Sequence, residues 1–515
     1  MRNKQVIAGT LLNYAVLAFQ TLSAIAITPF LISSLGDGTF GVYKIISSLI
    51  AYLGILNFGF GNAAIRFLTE IKVNQDIQKE KEFLSVIKML NLLAATVAVA
   101  LGIVLYKIIP QVFATSLTLD EIAIARQMFI VLIASVVVNI INDIYSAVII
   151  SNERFIFLKG LDLLRCTLRI ALIFLIISMH PSAVVLVMID LCMSIFAVVC
   201  NTIFCDRKLN TRPKYSFRVF KNLDKAYYKP VIIYATFFFF NLIVDQLLWN
   251  TNSIIIGIRL SSFDAAVYGS GATISAGFYT LTLVIGNLMF PRVVRRVSSG
   301  NSSKELTDIM ISIARAQMLV ALFLLTFYFA CGRQFIDIWL GNSYQEAWTS
   351  SIIIMIGAIF HCLISAGHLI LRAKNRQAFI LTAYFIIFAI NAIVTYLVVT
   401  KYGIVGAAFV TMVSFAIGVF LLITPYLHRT IGLDMLAFTK KLLPLFGIAA
   451  ILGVACYFLF HYIYLDSWGK LIIAALVYAI VFYTIMYLSV MNKNEKEIVQ
   501  SIIERVTGKI RRKSR

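Results

Sequence analysis

A chain of 515 residues that is 60% hydrophobic and only 13% charged, with a mean hydropathy of +0.90, cannot be an ordinary water-soluble domain. Its net charge of +21 would suit nucleic acid, but the basic residues sit in short gaps between apolar runs, where positive-inside bias and anionic lipid call for them, so no nucleic-acid partner is expected. The seven cysteines form no Cys-x-x-Cys pair, which argues against both a disulfide framework and a zinc site.

A membrane-crossing helix needs about 20 apolar residues. Runs of that length recur about fourteen times, at roughly 10–33, 40–65, 84–109, 122–150, 156–179, 183–204, 229–257, 265–290, 309–331, 347–371, 378–399, 404–424, 442–464 and 469–491. The pattern predicts an all-α polytopic membrane protein. The first run is too long for a signal-peptide core and lacks a small-residue cleavage site, so it is expected to remain. Alternate gaps, with their adjoining helix ends, hold 38 of the 45 Lys+Arg: 1–9, 66–88, 151–169, 205–230, 291–315, 372–377, 424–441 and 491–515. That asymmetry assigns these gaps, and both termini, to the cytoplasm. The seven exceptions are Lys44, Lys107, Arg126, Arg259, Arg333, Lys401 and Lys470. The longest outside gap is about 15 residues, leaving no room for a soluble catalytic domain, and an enzyme is not expected.

A charge inside a span costs about 2.5–3.5 kcal/mol on insertion scales, so each one is a functional candidate. Lys44 and Arg66 lie near opposite ends of the 40–65 run, about 33 Å apart at 1.5 Å per residue. They read equally as snorkelling anchors or as cations at the two mouths of a path for an anionic cargo. In the 122–150 run, Ser135, Asn139, Asn142, Asp143 and Ser146 share one helical stripe. Asp143 has no basic neighbour there and is a candidate to couple transport to protons or, with Asn139, to sodium. The 156–179 run is the most charged, with Lys159, Asp162, Arg165 and Arg169 on one face. Arg169 and Asp190 fall at similar depth across the 180–182 turn and are expected to pair, with Asp162 neutralising Arg165. The forked donors of Arg165 and Arg169 suit a phosphate. Asn241, Asp245 and Asn252 lie within a narrow arc of the 229–257 run. His361, Ser365, His368 and Arg372 form a further stripe. Histidine titrates near neutral pH, which makes His368 a second coupling candidate. The two histidines have no evident third partner, so no metal site is expected.

A shift of 225 residues lays Leu35-Gly36 and Val42-Tyr43 on Leu260-Ser261 and Val267-Tyr268, and Asp143 on His368. This suggests two six-helix lobes plus two extra C-terminal helices, with a substrate path between the lobes. The expected divisions are 1–228 for the N-terminal lobe and linker, 229–440 for the C-terminal lobe, 441–491 for the last two helices and 492–515 for a cytoplasmic tail. In the tail, Ile498, Ile502, Ile503, Val506 and Ile510 recur at helical spacing, as in an amphipathic helix lying on the inner leaflet.

The stretch Thr28-Pro29-Phe30-Leu31, Leu35-Gly36, Phe40-Gly41-Val42-Tyr43 and Asn57-Phe58-Gly59-Phe60-Gly61-Asn62-Ala63-Ala64-Ile65-Arg66 resembles the opening of bacterial oligosaccharide flippases. These belong to the multidrug/oligosaccharidyl-lipid/polysaccharide (MOP) exporter superfamily. Asn252 to Gly257 with Tyr268, Phe290-Pro291, and Tyr402 to Ala408 agree in order and spacing, so the resemblance covers nearly the whole chain. It implies a fourteen-helix exporter in the bacterial cytoplasmic membrane, working by alternating access through a cationic cavity. The implied cargo is an undecaprenyl-diphosphate-linked oligosaccharide moved to the outer leaflet for surface polysaccharide synthesis. The implied partners are that lipid-linked glycan, membrane lipids, and a polysaccharide polymerase or glycosyltransferase complex.

Taken with that resemblance, Lys44, Arg66, Arg165, Arg169, Asn241 and Asn252 are expected to meet substrate. Asp143, Asp245 and His368 are expected to couple transport to a proton or sodium gradient, with no bound cofactor. Asn252 stands where relatives often carry an acid, and the first run has no charge, only Asn13, Gln20 and Thr28 among its polar residues. These departures favour an O-antigen, capsule or exopolysaccharide exporter over a peptidoglycan-precursor flippase. A multidrug or cation antiporter of the same superfamily and, further off, a membrane glycan polymerase are the alternatives.

Overall fold

The computed structural model describes residues 2–213, 215, 225–300, 302–374, 376–493, 495–497 and 500, and no strand occurs among them. The tail positions Ile498, Ile502, Ile503, Val506 and Ile510 lie outside the described residues. In chain order the helices are α1 (Arg2–Leu35), α2 (Asp37–Gly54), α3 (Phe60–Val73), α4 (Ile77–Val112), α5 (Leu119–Ser151), α6 (Phe155–Leu172), α7 (Ala183–Lys208) and α8 (Lys225–Trp249). They continue as α9 (Thr251–Arg259), α10 (Ser262–Ser298), α11 (Ser303–Trp339), α12 (Gln345–Ala373), α13 (Ala378–Ala416), α14 (Thr424–Ile431), α15 (Met435–Tyr462) and α16 (Trp468–Ser489).

Among the described residues, twelve helical segments are long and apolar enough to cross a membrane. Two further passes follow from the geometry. The 54-residue segment Ala378–Ile431 is divided at Gly403, whose φ of 61° and ψ of −158° are not helical. The α6 helix runs on through a π-helical turn, Ile173–Ile177, and is also of spanning length, but it carries four charges. Its charge, not its length, sets it apart from the apolar twelve.

Helix starts recur at nearly one offset. Asp37 and Ser262 begin α2 and α10, 225 residues apart; Ile77 and Ser303, and Leu119 and Gln345, are each 226 apart. The 225-residue register of the sequence is thus present in the helix boundaries.

Six of the seven exceptions to the basic alternation, all but Lys107, have a physical explanation. Five of the seven sit over an aromatic ring: Lys44 on Phe40, Arg126 on Tyr106, Arg259 on Tyr396, Arg333 on Trp348 and Lys401 on Tyr402, with ring distances of 4.3–5.4 Å. Lys470 pairs with Asp466 at 2.8 Å. A ring face offsets part of the cost of holding a cation near apolar surroundings.

Contacts group the helices into two compact units, neither continuous in sequence. One comprises Met1–Ile274 with Tyr384–Val410, the other Ser275–Ala383 with Thr411–Arg515. In the first, α5 is the central post, packed by α2, α3, α4 and α7, while α1 lies on α6. One end of it closes around Leu68, Phe83, Ile87, Val148 and Ile149. At the opposite end α2 meets the start of α10 backbone to backbone: a Cβ on Gly41 would stand 1.8 Å from the Ser262 carbonyl oxygen. Glu121, in the capping box that opens α5, accepts the Ser262 hydroxyl at the same corner.

In the second unit α11 packs against α12 and α15. Arg315 on α11 is 3% exposed. It donates to both oxygens of Glu495 at 2.6 and 2.9 Å and to the carbonyls of Lys441 and Val490 at 2.7 and 2.8 Å. One side chain thereby ties the start of α15, the end of α16 and the first residues of the tail.

Candidate transport site

The densest charge inside the first unit gathers where α6, α7 and α2 meet. Arg169 engages Asp190 with two parallel donors, Nε to Oδ1 and Nη2 to Oδ2, the latter at 3.1 Å. This is the ion pair that the depth of the two residues predicts, in the bidentate form that only arginine makes. The Tyr43 hydroxyl lies against the same guanidinium, and Lys44 is close enough to Arg169 for the two cations to repel. Arg165 donates through Nη2 to the Ser194 hydroxyl at 3.0 Å, and Ser194 donates on to the Asp190 carbonyl at 2.9 Å. Asp162 acts on Arg165 through space, as expected, but its contact ion pair is with Lys159, one helical turn away, at 3.1 Å. Lys44, Lys159, Arg165 and Arg169 therefore outnumber the two carboxylates among them, Asp162 and Asp190, and the locality is positive.

A cavity of about 320 Å³ opens beside this cluster, lined by Gln20 and Ser23 of α1 and by Asp162, Arg165, Cys166 and Arg169 of α6. Lys44 is held by a 3.1 Å bond to the Thr273 hydroxyl. The geometry thus brings Lys44, Arg165 and Arg169 together, with Tyr43 and Ser194 as partners that the sequence reading missed. Tyr43 carried a signal, as the last residue of the Phe40-Gly41-Val42-Tyr43 motif. Ser194 carried none beyond lying one turn past Asp190.

Other candidate residues lie apart from this cluster. Arg66 is in the middle of α3, its guanidinium 4.6 Å from the Tyr234 ring, beside a cavity of about 800 Å³ that Glu70 and Lys229 also line. Asn241 donates to the Phe237 carbonyl of its own helix at 2.8 Å. Asn252 is buried and donates to the Tyr268 hydroxyl at 3.1 Å, joining α9 to α10. Asp245 lies on the exposed side of α8, with no ion pair among the described residues.

Asp143 accepts a 3.1 Å bond from the Asn57 amide, so its partner is Asn57 and not Asn139, which is exposed. Asn57 stands at a break between α2 and α3 that apolarity alone did not reveal. In the second unit, the His368 ring lies 5.0 Å from His361, and His361 lies 5.5 Å from Tyr279. Ser365 donates to Gln317 at 2.9 Å beside them. No group of three or more His, Cys, Asp or Glu side chains among the described residues is placed to hold a metal.

A many-pass helical bundle with a cationic cavity within one unit has the build of a membrane transporter. No protein-family model matches the chain. It is 23% identical over 408 residues to a Shigella flexneri protein named "Putative O-antigen transporter", covering 78% of this chain and 93% of that one. Among solved structures, it superposes with a TM-score of 0.70 on the lipid II flippase MurJ in an inward closed conformation, at 14% identity, covering 94% of this chain and all of MurJ. It superposes at 0.66 on an inward-facing multidrug resistance MATE transporter of the MOP superfamily, at 13% identity, over 82% of this chain and 99% of the other. A Pyrococcus furiosus MOP transporter gives 0.58 at 13% identity, over 84% and 96%. The fold is the one these MOP transporters share, in agreement with the resemblance read from the sequence motifs. The proteins it matches are transporters and flippases rather than enzymes.

Proposed function

We propose that this protein carries a polyprenyl-diphosphate-linked oligosaccharide from the inner to the outer leaflet of the bacterial cytoplasmic membrane, for assembly of a surface polysaccharide. The observation that carries this reading is the excess of cations around Asp190 inside the membrane. A glycan diphosphate cannot cross hydrocarbon unaided, whereas its polyprenyl tail can stay in it. The head needs a wet path lined with cations, and Arg165, Arg169 and Lys44 suit that need. Asp190 fills the fork of Arg169, and a diphosphate offers the same paired acceptors with more charge.

Arg66 and Lys229, beside their inner cavity, suit first capture of the head, while Asn241 and Asn252 suit contact with sugar. An apolar groove of about 460 Å³ between α15 and α16, with Lys470 on its rim, suits a lipid tail. Uphill movement needs a second solute that binds the two conformations unequally. In this reading a proton or sodium gradient supplies it, through Asp143 with Asp245 and His368. Both termini lie in the cytoplasm, and a polymerase or glycosyltransferase complex works alongside. The kinship with the Shigella flexneri protein favours the O-antigen class of cargo.

The test is movement of a fluorescent undecaprenyl-diphosphate oligosaccharide across reconstituted vesicles, with and without an imposed pH or sodium gradient. Flipping faster than in protein-free vesicles, and lost in Arg169→Ala, is the expected result. A wild-type rate equal to that of protein-free vesicles overturns the reading.

A further inference from the structure

The cavity of about 800 Å³ between α3 and α8 differs in chemistry from the cationic cluster around Asp190. Its size is that of a small-molecule pocket, which runs to about 300–1,000 Å³. One wall is a face of α3 carrying Arg66, Phe67 and Glu70. The other is a face of α8, where Pro230, Ile233, Tyr234 and Phe237 recur at helical spacing. Both helices belong to the first unit.

Arg66 and Glu70 stand four residues apart on α3, a spacing at which opposite charges pair. Here they do not. The Arg66 guanidinium lies over two rings, 4.6 Å from Tyr234 and 5.5 Å from Phe67, and those rings meet edge to face at 6.2 Å. Ring contacts use the flat of a guanidinium and leave its N–H edge for an acceptor. The other cations of this stretch are engaged as well. Lys72 pairs with Glu80 at 3.2 Å, and Lys79 sits 4.1 Å from the Tyr227 ring. Glu70 is thus exposed on the cavity wall with no ion pair among the described residues, close enough to Tyr227 for the two to interact through space.

The internal repeat shows that the fold does not require an acid there. Shifted by 225 residues, Glu70 falls on Arg295 in the last turn of α10, a cation. The carboxylate answers to something particular to this cavity. A phosphate, itself an acceptor, is repelled by it. A sugar offers hydroxyl donors, and O–H bonds to a carboxylate are charge-assisted. The Phe237 and Tyr234 rings add an apolar wall of the kind that takes the C–H face of a pyranose. The Arg66 edge and Lys229, on the same cavity, suit phosphate.

We propose that this cavity reads the sugar joined to the diphosphate, and that it selects an uncharged one. Glu70 accepts the sugar hydroxyls, Phe237 and Tyr234 carry its C–H face, and Arg66 with Lys229 holds the adjoining phosphate. A hexose or N-acetylhexosamine fits this arrangement. A uronic acid brings a second carboxylate against Glu70 and is refused. The inference rests on the function proposed above and deepens it, by naming the class of sugar and the residue that sorts it.

The test uses three soluble probes on the full chain in nanodiscs: farnesyl diphosphate, and the same lipid bearing N-acetylglucosamine or glucuronic acid. Affinities are read by calorimetry, after each variant is shown to elute as a single species. The wild type should bind the N-acetylglucosamine probe ~10-fold more tightly than either of the others. Glu70→Gln should bring the two sugar probes within about two-fold of each other while leaving farnesyl diphosphate unchanged, a change of selectivity that a merely structural role would not produce. Phe237→Ala should lower both sugar probes towards the sugar-free one, and Arg66→Ala should weaken all three alike. Asp308→Asn, another exposed carboxylate, should bind as wild type. Wild-type binding that ignores the sugar, or discrimination that survives in Glu70→Gln, overturns this site and leaves the proposed function standing. No binding of any probe by the wild type overturns both.

Discussion

Arg315 grips both carboxylate oxygens of Glu495 from a position almost sealed from solvent, and its remaining donors close the carbonyls of Lys441 and Val490. All three nitrogens of the guanidinium are thereby used to fasten helix ends. Breaking a buried pair by removing one member costs about 3–5 kcal/mol, because the other charge is left uncompensated. Arg315→Ala should lower the thermal midpoint of the purified protein sharply, and Arg315→Lys should rescue little of it, since an ammonium cannot reach four acceptors in a plane. A midpoint within a degree of wild type in both variants would sink the latch.

The Arg169 and Asp190 pair makes a different prediction, because it combines support with a proposed role in binding. Arg169→Ala should reduce the amount of protein in the membrane, and adding Asp190→Ala should restore the amount by removing the orphaned charge. Export should remain at background in the double variant. Immunoblots of membranes beside a surface-polysaccharide assay separate the two effects, and normal export in the double variant would make the pair purely structural.

Topology is open to direct labelling. Cysteines placed at Ser182 and Asp466 should react with an impermeant thiol reagent from outside intact cells. Those at Asn74, Asn210 and Ser299, all exposed, should react only after the membrane is opened. Ser262 is a poor site for the purpose, being 7% exposed beneath Gly41 and Glu121. Reaction of position 210 from outside would invert the assignment.

Gly59 tests the helix break. Its φ of 69° disfavours any side chain, and a Cβ there would lie 2.7 Å from the Phe238 Cβ and 2.9 Å from the Ala235 carbonyl oxygen. Gly59→Ala should cost ~1–3 kcal/mol by left-handed strain and crowding. Gly54→Ala, in open space at the end of α2, should cost little. Equal thermal midpoints for the two variants would mean that the break straightens without penalty.

Much of this was legible in the sequence, for reasons that differ by residue. Membrane passes follow from apolar length, and the Arg169–Asp190 pair follows from two charges at one depth across a short turn. Asp162 lies three residues from both Lys159 and Arg165; it acts on Arg165 through space as expected, but its contact pair is with Lys159 because Arg165 is turned to Ser194. Asn57 escaped notice because a left-handed Phe58 leaves no mark in hydropathy; only the glycines of Asn57-Phe58-Gly59-Phe60-Gly61 hinted at it. Arg315 was counted as one more cytoplasmic cation, since its acceptors are 126 to 180 residues further along the chain. The cationic cluster joins residues from α2, α6 and α7, and spacing along one helix cannot report such convergence.

The meeting of Gly41 with Ser262 has a consequence for how this corner can move. Two main chains touch there with no side chain between them, so there is no rotamer to turn and no soft atom to compress. Such a joint has two settings, seated or parted, and little that is stable between. Spin labels placed on either side of it, for instance at position 37 of α2 and position 264 of α10, should therefore give a distance distribution with separate peaks rather than one broad one, and conditions that favour opening should change the heights of those peaks while leaving their positions fixed.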